Sequence, residues 1–165
     1  ELVWIVTADH GEALLAGDRM HGFDLSEPVV HVPLVIGGPG ITAGRVAAPV
    51  STLDLFPTIL ALTNTPPVPW TDGVDLLADR ELDPQRVVLV DTWHRGGAGQ
   101  LLFDQVAATD GAHELVFEIT KNAWGLVDLR DPARAPQDVL ASFDPEPWRA
   151  KIRAYLEAGP LELLP

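Results

Sequence analysis

A chain of 165 residues, 47% of them hydrophobic, is long enough to close one domain, or a core with a small annex, without a disulfide or metal to hold it. Its eleven basic and twenty-four acidic side chains leave a formal net charge of −13, which repels phosphate backbones and anionic membranes and argues against a nucleic-acid partner. The absence of cysteine excludes a disulfide framework, a cysteine-ligated zinc and a cysteine nucleophile within these residues.

The first residue is Glu1 rather than Met, and Leu2 to Thr7, "LVWIVT", already reads as a strand, so the chain is expected to follow a cut inside a longer protein. Such a cut would hide a signal peptide, which leaves the compartment open. No apolar run approaches the ~20 residues of a membrane span. The "LVWIVT" run is continuous, β-branched and aromatic, the pattern of a parallel strand covered on both faces. After a polar stretch, "VVHVPLVIGGPG" (29–40) contains a second strand, Val32 to Ile36, stopped by Gly37, Gly38, Pro39 and Gly40. Pro33 has no N–H to donate and belongs at that strand's first residue or at a bulge.

"STLDLFPTILALTNTPP" (51–67) predicts a helix. Ser51 with Asp54 makes a capping-box start, and Leu53, Phe56, Ile59, Leu60 and Leu62 form an apolar stripe at helical spacing. Pro57 is comfortable only near the first turn, so regular helix is expected from about Asp54. From residue 86 the texture changes: "RVVLVDT" (86–92), "LLFDQVAAT" (101–109), "HELVFEIT" (113–120) and "AWGLVDLR" (123–130) read as short strands. Asp110-Gly111 and Lys121-Asn122 are turn signals between them, and the 113–120 run alternates as an antiparallel strand does. Glu146 to Ala158 carries Trp148, Ile152, Tyr155 and Leu156 at helical spacing and should pack on that sheet. Trp70, Trp124 and Trp148 read as packing residues. The expected architecture is α/β: the end of a mostly parallel sheet in residues 1–80, then a small antiparallel annex with a C-terminal helix in residues 81–165.

Ligands of open parallel sheets bind beyond the carboxyl ends of the strands. Asp9, His10 and Glu12 lie there, after the first strand. An adjacent carboxylate and imidazole supply a hard oxygen and a borderline nitrogen, two positions around a divalent cation but not a whole shell. From the residues alone, such a pair is more often an ordinary turn whose aspartate caps the next segment. By the same reading Glu12 is a solvated or helix-starting charge, His21 a surface histidine, and His31 a packed or rim residue.

The ordered string "TADHGEALL…HGFDLSEPVVHVPLVIGGPGITAGRVAAPVSTLDLFPTILALT…DGVDLL" resembles the C-terminal half of the sulfatase family, within the alkaline phosphatase superfamily. That family's pattern runs strand, Asp-His or Asp-Asn, Gly, a Lys- or His-containing turn, a "VPL" strand, "GPG" and a "DL-PT-L" helix. The resemblance covers residues 2 to about 77, and "LVDLRDPARAPQDVLA" (126–141) looks like the family's closing segment.

It implies an alkaline-phosphatase-like fold and hydrolysis of sulfate esters on a small molecule or carbohydrate. Asp9 and His10 would hold one divalent cation, usually Ca2+, with Mn2+, Mg2+ or Zn2+ in phosphohydrolase relatives. His21 falls where a lysine often touches the substrate's anionic group or leaving oxygen, so it would bind substrate and donate a hydrogen bond or proton. The loop "DTWHRGG" (91–97) can border the cleft in relatives, placing Arg95 to meet an anionic or sugar group, although such loops are more often simply solvated. His31 stands where arginine is usual before "VPL", and Ser26-Glu27-Pro28 where "YEE" is common, which leaves substrate identity open. The family's formylglycine-forming Cys or Ser and its remaining aspartate ligands belong to the N-terminal half, so these residues alone are expected to be inert. A phosphodiesterase or phosphotransferase of the same superfamily and a non-catalytic module are the alternatives. Oligomeric state is unreadable.

Overall fold

The structure is a computed structural model and describes residues 2–14, 21–22, 24–78, 82–95, 101–133 and 135–158, with the backbone alone for 94–95 and 101–103. Six strands and four helices are described. β1 (Trp4–Val6) and β2 (Val35–Gly37) form a two-stranded sheet, with α1 (Glu27–Val30) between them in sequence. A 3₁₀ turn (Thr52–Asp54) leads into α2 (Leu55–Leu62). β3 (Val88–Arg95), β4 (Leu101–Thr109), β5 (His113–Glu118) and β6 (Ala123–Asp128) follow as a four-stranded antiparallel meander, closed by α3 (Pro136–Leu140) and α4 (Glu146–Glu157). No described helix is long and apolar enough to cross a membrane.

β1 and β2 pair antiparallel, with Trp4 opposite Gly37 and Val6 opposite Val35. The continuous apolar runs had suggested parallel strands; such a run reports what covers the faces and carries no information on strand direction. One face of this ribbon is open, since Trp4, Val6 and Val35 are 46%, 56% and 50% exposed. The second strand also begins later than the apolar pattern suggested, so Pro33 precedes it and its missing N–H costs the ladder nothing.

The meander follows its alternation closely. Leu89, Val106, Ala108, Leu115 and Leu126 point to one face, where Val139 of α3 and Ile152 of α4 close a core that also takes in Trp93, Phe117, Trp124, Phe143, Trp148 and Tyr155. The two connections are those the turn signals indicated: Gly111 has φ 79° and Asn122 φ 48°, conformations that glycine and asparagine tolerate best.

α2 is built the other way round. Its buried positions are polar, Asp54 at its N-cap and Thr58, while Leu53, Phe56 and Ile59 stand 59%, 41% and 44% exposed. The capping box forms as the sequence indicates: Ser51 Oγ accepts from Leu53 N–H, and the Asp54 carboxylate accepts from Ser51 N–H at 2.8 Å. Three further donors reach Asp54 from distant sequence: Val74 N–H at 2.9 Å and the two Arg86 terminal nitrogens at 2.7 and 2.8 Å. Four donors fill the carboxylate's acceptor capacity. Burial pushes the Asp54 pKa up, but the hydrogen bonds from Arg86, Ser51 and Val74 outweigh it and hold the carboxyl below the usual range. Thr58 completes the knot, donating to Asp54 O at 2.6 Å and accepting from Leu76 N–H at 2.9 Å. Trp70, read as a packing residue, is 72% exposed and stacks on Phe56 at 5.4 Å between ring centroids.

Candidate active site

Beyond β1 the chain turns sharply at Gly11, whose N–H donates to Val29 O at 2.7 Å. A Cβ at Gly11 would meet Pro28 O at 2.0 Å, so only glycine lets the Asp9-His10 loop lie this close to α1. The loop opens onto a cleft of about 2530 Å³ lined by Asp9, His10, His21, Gly22, Asp24, Glu27 and His31, with Thr92 and Glu114 of the meander on the same cavity. Its volume exceeds the roughly 300–1,000 Å³ of an enclosed small-ligand pocket, so it is an open groove.

Asp9 Oδ2 lies 3.8 Å from His10 Nε2, and the Asp9 side chain is 91% exposed. Oxygen and nitrogen ligands sit about 2.0–2.6 Å from the divalent cations they bind, so one cation can touch both atoms. The His10 backbone N–H donates to Asp9 Oδ1 at 3.0 Å, which turns the carboxylate toward the ring. His10 Nδ1 lies 2.8 Å from Gly11 O; a carbonyl only accepts, so Nδ1 is the protonated nitrogen and the neutral ring keeps its lone pair at Nε2. Among the described residues no group of three or more His, Asp or Glu is arranged to hold a metal. The donor set fits a divalent cation to the extent of two ligands.

The His21 ring stacks on the His10 ring, with centroids 3.9 Å apart and planes 25° from parallel. Eleven residues apart in sequence, the two histidines are thus brought into contact. Glu12 accepts twice from His21, Oε1 from the backbone N–H at 2.8 Å and Oε2 from Nδ1 at 2.9 Å. The bond from the imidazole, with that from the backbone, holds the Glu12 carboxyl below its ordinary pKa. Glu12 is therefore the residue that sequence reasoning missed. It had been read as a solvated charge, and a contact spanning nine residues has no helical or strand period to reveal it.

The meander reaches this loop from the other side. Thr92 Oγ1 donates to Gly22 O at 3.3 Å and Leu25 N–H donates to Gln105 Oε1 at 3.2 Å, so β3 and β4 hold both ends of the segment after His21. Glu114 of β5 faces the same segment, 4% exposed, and its Oε2 has no hydrogen-bond partner among the described residues. Burial, and then the neighbouring charges of Asp24 and Glu27, push its pKa up to about 7. His31 stands on the rim, its Nδ1 2.7 Å from Glu27 Oε1. Trp93 packs against the meander core and its Nε1–H donates to Asp91 Oδ2 at 2.7 Å. The side chain of Arg95, expected at the substrate, lies outside the described residues, as does that of His94.

Residues 2–65 match the family described as Sulfatase. Over that stretch the chain is similar to the sulfatase family. Among curated relatives, the chain is 36% identical over 76 residues to arylsulfatase K of Danio rerio, covering 46% of the chain and 14% of the relative. It is 44% identical over 75 residues to choline-sulfatase of Rhizobium meliloti (strain 1021), covering 42% and 14%. The fold is similar to part of the phosphonate monoester hydrolase from Silicibacter pomeroyi, with a TM-score of 0.70, 24% identity, and coverage of 92% of this chain and 35% of that one. The α/β class of alkaline-phosphatase type is thereby established. The chain spans about a seventh of the length of these curated relatives and about a third of the solved structure.

Proposed function

We propose that the chain is the part of a sulfatase-type hydrolase that holds the metal and contacts the ester, acting on sulfate esters of a small molecule or carbohydrate. The observation that carries this is the meeting of the Asp9 carboxylate, the His10 Nε2 lone pair and the His21 ring at one end of an open cleft. Asp9 and His10 are the ligands, with Ca2+ the expected cation and Mn2+, Mg2+ or Zn2+ the alternatives. A bound cation supplies Lewis-acid charge to the oxygens of the ester group. His21, stacked on His10, presents its ring edge to that group and donates a hydrogen bond or proton at the leaving oxygen. Arg95, at the end of β3, is proposed to meet an anionic or sugar part of the substrate.

Two candidate ligands are fewer than a whole shell, so activity is assigned to the longer protein and the 165 residues alone are proposed to be inert. The exposed apolar faces of β1–β2 and α2 agree with packing against further structure. Calorimetric titration of Ca2+ and Mn2+ into the intact protein and its Asp9→Ala variant tests the metal assignment: at least tenfold weaker binding is expected, and equal affinity overturns it. Paired turnover of an aryl sulfate and an aryl phosphate separates sulfate from phosphate chemistry, and failure of both in metal-loaded intact protein favours a non-catalytic module.

A further inference from the structure

We infer that Glu12 is a positioning residue that holds the His21 imidazole by Nδ1 and leaves Nε2 for the cleft, a role that rests on His21 contacting the ester as proposed above. The two oxygens of one carboxylate take two different parts of the same residue. Oε1 accepts the His21 backbone N–H and fixes where the residue sits, while Oε2 accepts from the ring and fixes how it is turned. An ionised carboxylate has no proton to give, so the shared hydrogen belongs to His21 Nδ1, and Nε2 is the nitrogen left to take up a proton and pass it to the leaving oxygen, the ring returning to neutral with its hydrogen on Nδ1. One ring face is taken by His10 at 3.9 Å and the Nδ1 edge by Glu12 at 2.9 Å, which leaves the Nε2 edge as the working side. Glu12 follows His10 by two residues on the same short loop, so one piece of backbone sets both the metal-ligand candidate and the clamp on its neighbour.

The pair is partly exposed, and half-exposed ion pairs contribute little to stability. Removing the clamp should therefore act on the ring more than on the fold. Glu12→Gln is the discriminating variant because it keeps shape and changes only the chemistry of the second arm. The amide oxygen still accepts the His21 N–H, but the amide NH2 now faces Nδ1 and can only donate, which moves the ring proton to Nε2, and a ring with no hydrogen on Nδ1 cannot give up the one on Nε2 without becoming an anion.

Two-bond proton–nitrogen NMR on imidazole-labelled intact protein at pH 8 reads this directly. Protonated Nδ1 is expected in the native protein and protonated Nε2 in Glu12→Gln; unchanged His21 nitrogen shifts in the variant overturn the inference. Turnover supplies the second arm, with kcat for the better aryl ester expected to fall at least tenfold in Glu12→Gln while Ca2+ affinity stays within about twofold. A proton switch with unchanged kcat, in a protein that loses activity on His21→Ala, overturns the positioning role. A proton switch with His21→Ala fully active leaves the Glu12 clamp standing and removes the proposed role of His21.

Discussion

Leu115 and Phe56 are both large apolar side chains in regular structure, yet Leu115 in the meander is 1% exposed and Phe56 on α2 is 41% exposed. Around Leu115 the apolar residues close on one another from both sides of a sheet–helix sandwich. Around α2 the order is inverted: a charged residue and a threonine lie at 0% exposure, and the apolar stripe faces outward. The meander region is thus stabilised by area removed from water, the site-bearing region by a polar knot that ties α2 to Val74, Leu76 and Arg86. The difference is instructive for the site. Asp9, His10 and His21 sit in the region whose own apolar surface is least covered, and the meander steadies them through Thr92 and Gln105.

Breaking the polar knot should give the largest effect. Asp54→Ala leaves the Arg86 guanidinium and two backbone N–H groups without their acceptor, and a loss of about 3–5 kcal/mol is expected by urea denaturation. The paired Asp54→Leu, Arg86→Met variant should recover most of that loss, because it removes both charges together. On the other side of the comparison, Leu115→Ala opens a cavity in the closed core and should cost about 2–5 kcal/mol, read as a lowered urea midpoint with unchanged slope.

Glu114 sharpens the contrast, being a buried carboxyl at the seam between the two regions. Its folded pKa of about 7 lies above the ordinary 4.5, so its share of stability is fully present below pH 4.5 and is lost as pH rises through 7. Glu114→Gln should therefore raise stability at pH 8, by up to about 3 kcal/mol, and flatten the thermal-melting profile between those limits. Asp54 works with the opposite sign. Its depressed pKa gives stability at neutral pH that is lost as pH falls below its ordinary 3.8. The smallest effect is expected from Phe56→Ala in the 165-residue chain, about 1 kcal/mol or less, since the ring is already partly in water and stacks on exposed Trp70. A cost equal to that of Leu115→Ala would show that the stripe is covered in solution.

Much of the meander could be read before any coordinates. Alternation in 113–120, the Asp110-Gly111 and Lys121-Asn122 turns and the Trp148-Ile152-Tyr155 spacing are local signals, and each appears where it was expected. The capping box at Ser51 and Asp54 was legible for the same reason. The direction of β1 against β2 was not, because an apolar run describes faces rather than neighbours. Nor was the outward turn of the α2 stripe, because the residues that bury its polar side, Val74 and Arg86, come 20 and 32 positions after Asp54.

The amino-acid order by itself determined which groups the candidate site could contain, the Asp9-His10 pair after a strand and His21 beyond it, and through "VPL", "GPG" and "DLFPT" the family that residues 2–65 resemble. Tertiary structure alone decided that His21 lies against His10, that Glu12 grips it, and that Glu114 is buried near Asp24 and Glu27 of the segment that follows. Those are contacts between residues with no shared periodicity, made only once Gly11 lies against α1 and Thr92 and Gln105 hold the returning loop.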